Sequence, residues 1–289
     1  MIRRLELAPC ALGENALWHR ESGEFVFTDI LKGTLWAVKP GDGAPRLLAE
    51  CRYETGAFLF DGGGDVLLLT CAGVFRCTYA TGFIEYDHPL WRVPMLPTER
   101  FNDAICDAEG RILAGTKTDA NTQGSLWLLE AGREPVRLLR GLKISNGMGF
   151  SPDGSTLYHT DSGDRTIYRY DYAPGVQSLT GGAPLVTLTG AIGDVPDGMT
   201  VDREGNLWTA CWGGGCVRVF APDGALLGEH PMPSTQVSSV CFGGDDLSAL
   251  MVTSAAIGSS DPNDGGIYLA DGLSMAGREE FRAVCPVTC

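Results

Sequence analysis

Asp202-Arg-Glu-Gly205, Leu207-Trp-Thr-Ala-Cys211 and Cys216-Val-Arg-Val-Phe220 set an Asp/Gly turn before two short runs rich in apolar, aromatic and β-branched residues. That order reads as a tight turn leading into paired strands. The same unit recurs. Ser151-Pro-Asp-Gly154 leads to Thr156-Leu-Tyr-His-Thr160 and Thr166-Ile-Tyr-Arg-Tyr170, and Asp107-Ala-Glu-Gly110 to Ile112-Leu-Ala-Gly-Thr116 and Ser125-Leu-Trp-Leu-Leu129. Arg20-Glu-Ser-Gly23 leads to Phe25-Val-Phe-Thr-Asp29 and Thr34-Leu-Trp-Ala-Val38. Two weaker copies run from Asp61-Gly62-Gly63 through Val66–Thr70 to Val74–Cys77, and from Gly243–Asp246 through Ala249–Thr253 to Gly266–Leu269. The turn residues Gly23, Gly63, Gly110, Gly154, Gly205 and Asp246 are 40, 47, 44, 51 and 41 positions apart. A period of about 45 residues with about four strands per unit marks a β-propeller blade, since one blade cannot bury both faces alone. Six copies predict an all-β, six-bladed β-propeller filling residues 1–289 as a single domain. A β-sandwich would account for the strands but not for the period.

Composition agrees. The chain has 289 residues, 44% of them hydrophobic and 20% charged, with 39 glycines and 16 prolines for turns. There is material for a core and no signature of disorder. No amphipathic helical period persists over four turns, and no apolar run approaches the ~18 residues of a membrane span. A net charge of −14 repels a phosphate backbone, so nucleic acid is excluded as a partner. Met1-Ile2-Arg3-Arg4-Leu5-Glu6 lacks the apolar stretch of an export signal, which predicts a cytoplasmic protein. The ten cysteines are then expected as thiols; Cys71/Cys77, Cys211/Cys216 and Cys285/Cys289 form no CxxC pair and read as small buried residues.

In a propeller the first strand of each blade lines the central channel, so matched positions face one another. Counting back nine residues from Gly23 reaches Glu14. Counting back eight from Gly110, Gly154 and Gly205 reaches Asn102, Asn146 and Asp197. Two carboxylates and two carboxamides converging on an axis repel and desolvate one another unless a cation sits among them. Oxygen donors suit hard divalent ions, and so few protein ligands leave coordination positions open for substrate.

At these residues the chain resembles the SMP-30/gluconolactonase family, the regucalcin-like sugar lactonases. The likeness covers nearly the whole chain: Leu12-Gly-Glu14 with Trp18, Arg100-Phe-Asn-Asp-Ala104, Ile144-Ser-Asn-Gly147, Pro196-Asp-Gly198, Leu207-Trp208 and Cys241-Phe-Gly-Gly244 match family blocks in order. The resemblance implies a six-bladed propeller with one divalent ion (calcium, zinc, iron(II), manganese or magnesium) held by Glu14, Asn146 and Asp197. It also implies that Arg100 and Asn102 contact a sugar lactone. Phe101 replaces the family's proline. Lys117, Thr118 and Asp119 replace its usual methionine and acidic residues, so the acidic hydroxyl contact is either missing or moved to Asp119. Lys117 and Lys143 would favour an anionic substrate group if both face the channel.

The chemistry expected is hydrolysis of an aldonolactone to the aldonic acid. The cation polarises the carbonyl, Asp197 is the candidate catalytic base, and Arg100, Asn102, Lys117 and Asp119 bind substrate. The partner is a small sugar lactone, with the chain a monomer or homodimer. No Gly-x-Ser-x-Gly elbow or HExxH motif offers a serine or histidine-zinc route. His159 reads as structural, and Asp261-Pro-Asn-Asp-Gly265 as a turn that lacks a calcium loop's downstream glutamate. Two rivals stay open: a calcium-binding or scaffolding propeller without catalysis, and a metal-dependent aryl-ester or organophosphate hydrolase with Trp91, Phe101 and Trp212 as an apolar wall.

Overall fold

The computed structural model describes residues 2–119, 123–191 and 193–286. Its strands form six antiparallel sheets, five of four strands and one of three. The innermost strands are Gly13–His19, Thr55–Phe60, Glu99–Cys106, Ser145–Phe150, Val195–Val201 and Val237–Gly243, and neighbours among them touch all the way round the ring. This is the six-bladed β-propeller that the repeat predicts. The second blade is the three-stranded one; the chain from Ile84 to Trp91 runs along its outer edge and makes only the isolated bridges Ile84–Cys77 and Trp91–Val74.

Blades pack face to face, so their inner strands are apolar on both sides. Phe25, Val26, Phe27, Leu67, Leu68, Leu69, Leu113 and Leu126 are fully buried. The outermost strands lie at the rim, and Leu226–Pro231 is largely exposed. The ring closes through the chain ends: Ile2–Arg4 pairs with Tyr268–Ala270 and supplies the outer strand of the sixth blade. No residue pattern in Ile2–Arg4 marks it as a strand.

The turns work as the repeat implies. Asp107 Oδ1 accepts from the backbone N–H groups of Glu109 and Arg111, and Asp202 Oδ1 from those of Glu204 and Asn206. The glycine that follows takes a left-handed conformation, φ +75° at Gly110 and +90° at Gly205. In the second blade this position is Gly64 (φ +87°), not Gly63. Counting from Asp61, Gly64 holds the fourth place of the motif, as Gly110 and Gly205 do, so the weak repeat had been read one residue out of phase.

Candidate active site

Every innermost strand breaks register with its neighbour near its start. The breaks fall between Glu14 and Leu17, Thr55 and Ala57, Ser145 and Met148, Pro196 and Met199, and Val237 and Ser239; in the third blade Asn102 is left out of the pairing. A bulge bends a strand and re-aims a side chain. The result is a ring of six bulges around the axis, occupied by Asn15, Gly56, Asn102, Asn146, Asp197 and Ser238. The inner strands come closest here. A Cβ on Gly56 would collide with the Phe101 carbonyl, one on Gly147 with the Asp197 carbonyl, and one on Gly198 with the Ser238 carbonyl.

Asn15 explains why the count to Glu14 was nine. At φ +50° it occupies the bulge of the first blade, and its Oδ1 accepts from the backbone N–H of Phe58 in the second. Its amide is thus spent on joining two blades. Glu14, one residue earlier, lines the cavity instead.

Glu14, Asn102, Asn146 and Asp197 are all buried, and all line one open cavity of about 410 Å³. Arg100, Lys117 and Asp119 share its wall, and Leu12, Ile144, Val195, Trp212 and Ile257 add apolar surface. Asn146 Nδ2 donates to Asp197 Oδ1 and, at 3.1 Å, to Ser162 Oγ; Ser162 in turn donates to the Pro196 carbonyl at 2.6 Å. Asn146 Oδ1 is buried without a hydrogen-bond partner among the described residues. Burial pushes the Glu14 and Asp197 carboxyls well above the ordinary range. The Asp197 charge adds to the rise at Glu14, and the Asp103 charge raises both, while Lys117 partly opposes the rise at Asp197. Two crowded carboxylates beside an orphaned amide oxygen make a hard, anionic donor set that a divalent cation fits. Among the described residues no three His, Cys, Asp or Glu side chains gather as a metal set; the third donor here is a carboxamide.

Arg100 Nη1 donates to Asn102 Oδ1 at 2.9 Å and to the Phe101 carbonyl at 2.8 Å, with Glu54 3.7 Å from its Nε. Asn102 Nδ2 is committed to the Ser145 carbonyl at 3.0 Å. Asn102 therefore braces the arginine and ties the third blade to the fourth. The sequence reading missed two supports. Asp29 accepts from the backbone N–H groups of Ala11 and Leu12, and Asp161 from those of Lys143 and Ile144, each fixing the chain two residues before a proposed ligand. Both end a second strand in the pair Thr-Asp, the one signal that could have marked them.

Other expectations divide. Asp119 lines the cavity but is exposed, and residues 120–122 beyond it are outside the described chain. Lys143 does not line the cavity; its ammonium pairs with Asp164. Trp212 is a wall residue, whereas Trp91 and Phe101 lie in the core. His159 is fully buried with Ser145 Oγ 2.8 Å from its Nε2 and its Nδ1 without a partner among the described residues, and burial lowers its pKa to about 4, so it stays neutral and structural. Asp264 accepts from Thr235, Gln236 and Ser259, which makes its segment a braced turn. Of the cysteines, Cys10, Cys51, Cys77, Cys106, Cys211, Cys216 and Cys241 are buried free thiols and Cys71 is exposed; Cys289 is outside the described residues.

A six-bladed propeller with an oxygen-donor site at the floor of an axial cavity is the class that fold and site define. The model of the SMP-30/Gluconolactonase/LRE-like region matches residues 12–256, and the chain belongs to that family. It is 32% identical over 292 residues to a pentonolactonase of Haloferax volcanii, covering 98% of each chain. It is 34% identical to an L-arabinolactonase of Azospirillum brasilense, covering 90% of this chain and 88% of that one. A solved calcium-binding protein, regucalcin, from Agrobacterium tumefaciens superposes with a TM-score of 0.88 at 26% identity, covering 97% of each chain. No helix among the described residues is long and apolar enough to cross a membrane.

Proposed function

We propose that this lactone hydrolase opens a sugar lactone to the aldonic acid, using one divalent cation held by Glu14, Asn146 and Asp197. The observation that carries the reading is the unpartnered Asn146 Oδ1 between two buried carboxylates at the floor of an open cavity. The pentonolactonase and arabinolactonase relatives support the substrate class. Regucalcin, described as calcium-binding, supports the ion. When bound, the cation supplies Lewis-acid polarisation of the lactone carbonyl and offsets the two carboxylate charges.

The chain's own groups do the rest. Asp197 stands at the floor of the cavity, where it orients the attacking water and takes its proton; as the ring bond breaks, that proton goes to the leaving ring oxygen. Asn146 holds the Asp197 carboxylate in place through its amide and through Ser162. Arg100, braced by Asn102, meets the developing oxyanion or a ring hydroxyl. Trp212 offers a flat apolar wall for the sugar ring.

The test is hydrolysis of an aldonolactone panel by the chelated protein, then by protein reloaded with one ion at a time. A rate lost on chelation and restored by an ion is expected. An undiminished rate after chelation would refute the metal role. No turnover of any lactone with ion binding intact would favour the binding propeller, and turnover of aryl or phosphate esters alone would favour the other hydrolase.

A further inference from the structure

We infer that the cavity is built for a sugar lactone carrying an anionic substituent, and that Lys117 is the residue that recognises that charge. The inference rests on the lactonase reading above.

The first observation is one of register. In the third blade the bulge at Asn102 shifts the pairing so that Lys117 stands directly opposite Arg100. Opposite residues of an antiparallel pair project from the same face, and both side chains line the cavity. Two cations so placed destabilise the sheet unless something negative lies against them. Without the shift, Lys117 would face Phe101, so the same irregularity that places Asn102 also builds the cationic pair.

The second observation is what each cation already holds. Arg100 is engaged by Asn102, the Phe101 carbonyl and Glu54. Lys117 is only partly exposed, and the described residues give its ammonium neither a hydrogen bond nor an ion pair. Its environment is set by burial, by repulsion from Arg100 and by the more distant charges of Asp197, Asp119 and Glu14. A cation bound to Glu14 and Asp197 takes up two of those three negative charges. Asp119 remains, exposed at the mouth. In the loaded site Glu54 stays against Arg100, so Lys117 is the cation of the third-blade wall left to meet a ligand, in a cavity that Leu12, Val195 and Trp212 also line with apolar surface.

A partly buried ammonium without a counter-ion is an unfilled site for a carboxylate, phosphate or sulfonate oxygen. The fitting substrate is a lactone whose terminal carbon bears such a group: the lactone of a sugar diacid or of a phosphorylated or sulfonated aldonic acid. Lys143 takes no part, being paired with Asp164.

The experiment compares kcat/KM for three lactones of one ring configuration that differ only at the terminal carbon: hydroxymethyl, carboxylate and phosphomonoester. We expect one anionic lactone to exceed the hydroxymethyl lactone at least tenfold, through a lower KM, with the preference shrinking as salt rises. Which anionic arm leads identifies the group. Lys117→Met should bring the ratio close to one, and Lys117→Arg should restore most of it. In parallel, an unreactive ring-ether carboxylate is titrated by calorimetry into wild type and Lys117→Met, and should bind at least tenfold more weakly to the variant. A wild-type preference for the hydroxymethyl lactone, or a ratio untouched by Lys117→Met, overturns the inference and leaves the lactonase reading standing. Turnover of none of the three overturns the lactonase reading. The calorimetric comparison then decides alone whether Lys117 binds an anion, equal affinity of the two proteins counting against it.

Discussion

The hairpin turns and the axial ring are both built on buried acids and amides, and they treat the oxygen atoms in opposite ways. Asp202, in a turn, accepts from the Glu204 and Asn206 backbones, from Asn206 Nδ2 and from Trp208 Nε1. Asp107 is filled by two backbone N–H groups, by Arg111 and by Tyr172. On the axis, among the described residues, Asp197 receives only the Asn146 amide, Glu14 only its neighbour's N–H at 3.3 Å, and Asn146 Oδ1 nothing. Burial is similar, so burial does not separate structure from function here. Satisfaction does. An acid whose oxygens are filled fixes a turn; on the function proposed above, Glu14 and Asp197 are left short of donors because they are held for a ligand.

The sharpest way to break this contrast is a pair of substitutions. Asp197→Asn keeps the shape and removes the charge. Lactonase turnover should fall about a thousandfold, with the denaturation midpoint unchanged or raised because a crowded buried charge is gone. Asp202→Ala should do the reverse. The indole N–H of Trp208 and the backbone N–H of Asn206 lose their acceptor, at a cost of about 3 kcal/mol, while the folded fraction keeps its specific activity. If Asp197→Asn unfolds the protein and Asp202→Ala spares it, the reading of the two regions is wrong.

Glycines give a second, smaller test. Gly56 lies where the second and third inner strands nearly touch, and a methyl group there meets the Phe101 carbonyl, beside Arg100 and Asn102. Gly56→Ala should cost about 3 kcal/mol and raise KM as Arg100 shifts. Gly154 sits in an open turn with nothing within 4 Å of a Cβ and φ +71°. Gly154→Ala should therefore cost only about 1 kcal/mol, through backbone strain alone, with KM unchanged. Equal costs at the two positions would mean that the inner strands are not tightly pressed at the bulges.

The same contrast explains what could be read before the structure. The turn motif is local: four residues make their own hydrogen bonds, so a turn closing on glycine recurs in five blades, as Asp-x-x-Gly in three of them, and the period gave the propeller. The inner two strands of each blade are buried on both faces and show as apolar runs. The rim strands are not so confined; Leu226–Pro231 and Ile2–Arg4 carry no pattern that distinguishes them from loops. At the site, Asn102, Asn146 and Asp197 were legible because the bulge falls at a fixed distance from the turn. Gly56 and Ser238 hold the same place and were missed, because a glycine and a serine look like loop residues until the strands are seen to converge. The opposition of Arg100 and Lys117 was illegible for a different reason: a one-residue shift of register leaves no trace in composition.

Acidity offers the finest test, because turn and axis shift carboxyls in opposite directions. Beside the first-blade turn, Glu24 is held down to about 2, chiefly by the Arg46 guanidinium and also by the Tyr79 hydroxyl. Its folded pKa lies below the unfolded value near 4.5, so its contribution is complete above that pH and is lost as pH falls toward 2. In the channel, burial lifts Asp103 to about 7, with the Glu280 charge adding to the rise. Here the folded protein keeps a proton that the unfolded chain has released, so stability declines as pH rises from about 4 to about 7 and then levels. Glu14 and Asp197 also feel the Asp103 charge, so the measurement belongs on chelator-treated protein at fixed salt. Denaturation midpoints between pH 2 and 8 should show both limbs in the wild type. Glu24→Gln should lessen the limb below pH 4.5 and leave the upper one, and Asp103→Asn should lessen the slope between 4 and 7, to which the raised Glu14 and Asp197 carboxyls also contribute, and leave the lower one. An Asp103→Asn protein with the wild-type slope in that upper window would show that the channel carboxyl is as well stabilised as one beside a turn, and the distinction between the two regions would then rest on geometry alone.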